Sequence, residues 1–374
     1  MPIMLALLAI LMIFSVSKCN EFLTQENKIG AFYMQTDNDM SIAASAEYIP
    51  ASTEQTIMDN LVKLKLHGTT NEDAGSGCEM WTHETEGLDL YKPLHAFLTD
   101  LKKYNELEKN FKVGIKDLRE AIRKRNGDSE SVCQQLRLHP NGLPGIFESG
   151  QLSLTSSGYV EPLLPPMRNP GICVEPMNYA DVGYIIHDYE AMCKKLKSHS
   201  KIIFIDMGAS LDFKDNPGST QAMFISNQFE KYGFKFDHIY AFEITPHDPL
   251  KVFEKVPGNL FGAYHWINVG VSADRDNMLN PLDSILSQFT EDDLVVVKLD
   301  IDTPTIEIPL ADQLLKSNYL WKVVDQFYFE HHVKLQELLN HWGHDDSLTS
   351  GSVKDSMELF TAFRQKGIAA HFWV

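Results

Sequence analysis

The chain has 374 residues, enough to bury a sizeable core and, by length, to form about two domains. Hydrophobic residues make up 44% and charged residues 22%, a balance that excludes wholesale disorder. The formal charge of −18 repels phosphate backbones and argues against nucleic acid as a partner.

Residues 3–14 form an unbroken apolar run that ends in small residues. Spanning a bilayer takes about 20 apolar residues, so the segment 1–19 reads as a secretory signal peptide. The alternative is a short anchor giving membrane association. Removal of a segment ending at Cys19 leaves Cys78, Cys133, Cys173 and Cys193, an even set suited to an oxidising compartment. Three pairings are open to them, as is a set of free thiols. None lies in a C-x-x-C pair, so zinc-ribbon and thioredoxin-type sites have no support.

Residues 20–75 are polar, with one helical pattern at 54–66. Leu94, Phe97, Leu98, Leu101 and Tyr104 share one helix face and predict a helix over 94–109. Ile115, Leu118 and Ile122 predict another over 113–124, closed by Asn126-Gly127. The basic run at 116–125 is interleaved with Asp117 and Glu120 and reads as a solvated helix face. Residues 142–176 are dense in Pro, Gly and Ser, which marks a connector. The boundary therefore falls near 170, between a helical or irregular N-terminal region (20–170) and an α/β domain (171–374). An amphipathic helix over 179–199 leads into the second.

From there the pattern alternates. Apolar strand-like runs stand at 201–207, 238–244, 263–271, 294–301, 326–331 and 368–374. Helical stretches lie between them at 218–232, 248–255, 281–289, 305–318 and 352–366. Strands rich in Ile, Val and Phe with little alternation are buried on both faces, as in a parallel sheet covered by helices. The fold class is α/β, a doubly wound, mostly parallel, Rossmann-like sheet.

In such sheets ligands bind beyond the carboxyl ends of the strands. The first strand ends Asp206-Met207-Gly208-Ala209-Ser210, an acid and a glycine turn that lets backbone approach a ligand. The second ends Ala241-Phe242-Glu243, and Glu243 is suited to a ribose diol or to an exposed strand end. The fourth carries Lys298, Asp300 and Asp302 in a run otherwise fit for burial. Charge there is costly unless paired or facing a cleft, and period two puts all three on one side. The fifth ends Glu330-His331-His332, offering a general base or metal ligands. His341-Trp342-Gly343-His344-Asp345-Asp346 reads as an ordinary loop.

Taken together, these strand ends resemble the FkbM family of methyltransferases over about residues 200–374. The matching pieces are Asp206-Met207-Gly208-Ala209, Ala241-Phe242-Glu243, Asn268-Val269-Gly270-Val271-Ser272 and Lys298-Leu299-Asp300-Ile301-Asp302, with Phe329-Glu330-His331 similar to the family's late strand. Nothing of the kind covers residues 20–170. The resemblance implies a class I methyltransferase-like domain, S-adenosylmethionine as cofactor, and O-methylation of a sugar or small metabolite. It puts Asp206, Gly208 and Ser210 at the methionine end, Glu243 on the ribose hydroxyls and Asp300 beside the methyl group. Asp300 or His332 is the expected base, with His332 favoured because its ordinary pKa lies near neutrality. No resident metal is expected.

Three departures stand out. Ser210-Leu211-Asp212 replaces a second glycine, Asp302-Thr303-Pro304 replaces a Glu-Gly, and no sequence follows the sixth strand for the antiparallel strand common in this class. Two rivals follow: an inactive binding module of the same fold, and a metal-assisted hydrolase using Asp300, Asp302, Glu330 and His332. The expected setting is the secretory pathway, secreted or lumenal and membrane-anchored, with a small-molecule or glycan acceptor.

Overall fold

The computed structural model describes residues 48–81, 90–147, 158–164, 170–175, 178, 180–211, 219–342 and 348–373. The apolar run at 3–14, Cys19 and the polar stretch up to 47 lie outside the described residues. Ser45–Val374 form one compact unit.

Among the described residues, the α-helices before residue 140 are α1 (Ser52–Met58), α2 (Tyr91–Asn110), α3 (Leu118–Lys124) and α4 (Ser129–Cys133). A fifth, α5, is Tyr189–Lys195. Three are shorter than their periodicity predicts, and local chemistry explains two. Asp117 accepts the Glu120 N–H at 3.2 Å and starts α3 there, so residues before it are not helical. Asp188 does the same for α5, accepting the Ala191 N–H at 3.0 Å, and the predicted helix over 179–199 shrinks to its second half. Beyond α1 the chain continues in turns, with Lys65 in the left-handed region at φ 56°.

The six predicted strands are all present: β1 (Ile202–Met207), β2 (His238–Phe242), β3 (Tyr264–Ile267), β4 (Leu294–Leu299), β5 (Val324–Phe329) and β6 (Ala369–Phe372). They form one sheet in the order β3-β2-β1-β4-β5-β6, and every neighbouring pair is parallel. The sheet is Rossmann-like. Helices α6 (Gln221–Lys231), α7 (Pro249–Lys255), α8 (Pro281–Ser284), α9 (Pro304–Lys316) and α10 (Val353–Gln365) alternate with the strands. Only α8 falls well short, ending at Ser284 before a separate 3-10 turn at Leu286–Gln288.

Strands β1 and β4 are buried along their whole length. Each buried Ile, Val or Phe side chain contributes about 1.5–3 kcal/mol, so the sheet's centre is its most stable part. The order of strands reverses direction between β1 and β4, which opens a crevice above their carboxyl ends.

Elements on either side of the Pro/Gly-rich stretch share this core. Arg119 of α3 reaches the Ser200 carbonyl at 3.0 Å and pairs with Asp237, which in turn accepts the Ile202 N–H at the start of β1. The Glu337 carboxylate accepts the backbone N–H groups of Gly77 and Cys78, each at 3.1 Å. Disulfides join Cys78 to Cys173 and Cys133 to Cys193, one of the three pairings open to four cysteines. No helix among the described residues is long and apolar enough to cross a membrane.

Candidate functional site

A cleft of about 680 Å³ lies over the strand tips. Its polar lining includes Gly208 after β1, Glu243 after β2, Asp300 and Asp302 after β4, and Glu330 and His332 after β5, together with Ser210 and Gln221. Ile244, Val269, Val271, Ile306 and Trp342 supply an apolar side. Of the residues singled out in the sequence, Gly208, Ser210, Glu243, Asp300 and His332 meet here, and Asp206 lies buried beneath.

The floor is built on Lys298. Its ammonium, fully buried in β4, donates to Asp206 at 3.0 Å and to the Gly208 carbonyl at 2.9 Å, and pairs with Asp300 at 3.1 Å. Register makes this possible, because Asp206 of β1 stands opposite Lys298 of β4. Structural pairing and an open cleft are therefore both present: Lys298 is consumed below while Asp300 also faces the space above. Burial opposes the charge on Asp300, but Lys298 and hydrogen bonds from Glu330 and Gln221 hold its carboxyl below the usual range. Burial pushes Asp206 up, and one of its oxygens, Oδ2, has no hydrogen-bond partner.

Gly208 is required by the fold itself. Its φ is +88°, and an added Cβ would lie 1.5 Å from the Asp300 carbonyl oxygen. The close approach that suits a ligand here serves first to let the ends of β1 and β4 touch.

Glu243 is half-exposed, and its Oε1 accepts the Thr245 N–H at 2.6 Å, which fixes the carboxylate at the rim. The Asn268 amide donates to the carbonyls of Glu243 and Thr245, at 2.6 and 2.8 Å, and ties the tip of β2 to that of β3.

The far wall holds an acid–histidine cluster. His332 Nε2 lies 3.3 Å from Glu330 and 3.6 Å from Asp302, while Nδ1 is 3.2 Å from the Leu348 carbonyl. Trp342 stacks on the imidazole with centroids 4.8 Å apart. Burial raises Glu330 to about 8, reinforced by the Asp300 charge. Burial works against the His332 cation, yet Glu330, Glu307 and Asp302 outweigh it and lift the ring to about 9.

One expectation fails. Asp302 does not continue the period-two face of Lys298 and Asp300, because β4 ends at Leu299 and Asp302 takes a left-handed conformation at φ 54°. It comes to the cluster from the loop, with its side chain 80% exposed. The stretch at 341–346 also departs from a plain loop, since His341 and Trp342 line the cleft; residues 343–347 lie outside the described residues.

Two further polar residues were not picked out from the sequence. Gln221, the first residue of α6, donates to Asp300 and leaves its Oε1 buried with no partner. Glu307, on α9, accepts the Ile301 N–H at 2.9 Å and is raised by burial to about 7. Glu307 had a weak signal, an acid between Ile306 and Ile308 on an apolar helix; Gln221 had none.

The cleft is acidic overall, with Asp300, Asp302, Glu243 and Glu330 lining it, Glu307 buried near Asp300 and His332, and Lys298 already engaged below. Such a lining favours cationic ligands, and its rim carboxylate accepts hydrogen bonds from hydroxyl groups. Comparison of the chain with protein-family models, with curated proteins and with solved structures gives no match in any of the three.

Proposed function

We propose that the chain is an S-adenosylmethionine-dependent methyltransferase acting on an oxygen of a sugar or small metabolite. One observation carries it: Gly208, Ser210, Glu243 and Asp300, from three different strand ends, line one cleft at the crevice between β1 and β4. The cleft is within the usual size of a small-molecule site and pairs an acidic floor with an apolar side. That combination suits a nucleoside bearing a positive sulfonium and ammonium. The resemblance to the FkbM family points the same way.

In this reading Glu243 accepts from the ribose hydroxyls, and Ile244 and Val269 cover the base. Gly208, Ser210 and Asp300 receive the methionine end, with Lys298, itself anchored on Asp206, holding Asp300 from beneath. An acceptor hydroxyl approaches the methyl group in line. The O–CH₃ bond forms as the S–CH₃ bond breaks, the sulfonium becomes a thioether, and the hydroxyl proton passes to Asp300, the other expected base, whose carboxyl is held ionised while His332 is held protonated. The protein's work is positioning and exclusion of water. The two disulfides support a secretory setting, since such bonds persist in oxidising compartments.

Calorimetry with S-adenosylhomocysteine tests the reading. Micromolar binding that Glu243→Ala and Asp300→Asn each weaken by about tenfold or more is expected. No binding at millimolar ligand, with the protein folded by circular dichroism, sinks it.

A further inference from the structure

We propose that Asp302, Glu330 and His332 form a binding site for a divalent first-row transition-metal ion on the far wall of the cleft. One ligand atom from each residue lies within 4.8 Å of the other two. Ligands held at about 2.1 Å from a common ion sit about 3.0–3.4 Å apart. The His332 Nε2 separations, 3.3 Å to Glu330 and 3.6 Å to Asp302, are close to that spacing. They are long for a charge-assisted hydrogen bond, which closes to about 2.7–2.9 Å.

The histidine itself supplies the independent sign of a ligand. It is 5% exposed, and its Nε2 has no hydrogen-bond partner. Its Nδ1 faces the Leu348 carbonyl at 3.2 Å, an acceptor, so Nδ1 keeps its proton and Nε2, facing the two carboxylates, is the nitrogen that gives up its proton to an incoming ion. A backbone carbonyl that fixes the tautomer of an imidazole is the usual outer support of a metal-binding histidine. Trp342 stacked on the ring keeps its plane in place. Gln221, 8% exposed, lines the same cleft and carries a second unpartnered buried acceptor, Oε1.

One imidazole nitrogen with two carboxylates suits Mn²⁺, Fe²⁺ or Zn²⁺ better than Mg²⁺ or Ca²⁺, which favour all-oxygen shells. Three protein ligands leave coordination positions open toward the cleft. An acceptor oxygen can take one of them, a role that rests on the methyl-transfer reading; the ion site does not.

The test is Mn²⁺ binding to the purified full chain after chelator treatment, followed by electron paramagnetic resonance and equilibrium dialysis. One Mn²⁺ per chain, displaced by Zn²⁺, is expected. Asp302→Asn should weaken binding by about tenfold or more, as should Glu330→Gln. Asn tolerates the left-handed backbone at position 302, so the first variant keeps its fold. No bound Mn²⁺ or Zn²⁺ at millimolar ion, or unchanged affinity in Asp302→Asn, overturns the site. Calorimetry with S-adenosylhomocysteine on the same samples separates the two ideas. Cofactor binding without an ion removes only the metal site; an ion without cofactor binding removes only the methyl-transfer reading.

Discussion

Two groups of buried charge lie in this molecule, and they are finished differently. The first joins the N-terminal segment to the last strand. Arg364, fully buried in α10, donates to Tyr48, to the Ala370 carbonyl and to both the carbonyl and the carboxylate of Glu161. Glu161 also accepts from the Ile186 N–H and His371, whose other ring nitrogen meets Gln326. Glu54 accepts from Tyr48 and the Leu163 N–H. None of these side chains has an orphaned buried atom. The second group is the cleft, where Asp206 Oδ2, Gln221 Oε1 and His332 Nε2 are buried without hydrogen-bond partners. A fully satisfied network specifies a fold; one left partly open is where a ligand completes the count.

The largest effect expected from this contrast is at Arg364. Arg364→Met leaves two carboxylates buried without their cation and should cost about 3–5 kcal/mol in urea unfolding. A loss below about 1 kcal/mol breaks the contrast.

A somewhat smaller effect concerns acid. Burial alone would raise the pKa of Glu161, but His371 and Arg364 prevail and hold it at about 2, against an ordinary 4.5. A depressed carboxylate contributes stability that is complete above about pH 4.5 and is lost as pH falls through about 2. Its share is about 3 kcal/mol. His371→Gln removes the larger attractive charge and should flatten the pH dependence of unfolding in that window. An unchanged slope assigns the acid lability elsewhere.

The smallest change sharpens the other side. Gln221→Met removes an acceptor already without a partner and the one hydrogen bond to Asp300, so stability should fall by only about 1 kcal/mol. S-adenosylhomocysteine affinity should fall while the melting temperature drops by no more than a few degrees. A large drop in stability would make Gln221 part of the framework instead.

The sheet was legible because strands covered on both faces must be continuously apolar, and five of the six runs survive within about three residues at either end. The cleft floor was legible for the complementary reason. Asp206, Lys298 and Asp300 interrupt runs that otherwise exclude charge, and nothing but pairing or a crevice tolerates them. Gln221 and Glu307 escaped notice because polar residues are ordinary on amphipathic helices, and only packing buries these two. Arg364 and Glu161 are 203 positions apart, a distance no periodicity spans. Asp302 was misplaced because alternation holds only while the chain stays in the sheet. The shortened α3 and α5 show local capping overriding a pattern that favoured longer helices.

The bond between Lys298 and Asp206 links residues 92 positions apart on adjacent strands. During synthesis β1 leaves the ribosome with its acid exposed, and no partner exists until β4 follows. The helical units between them can form early, whereas the cleft waits for the chain's last third. A truncated product ending before β4 therefore keeps an unneutralised aspartate in a greasy strand, a liability that quality-control machinery can recognise.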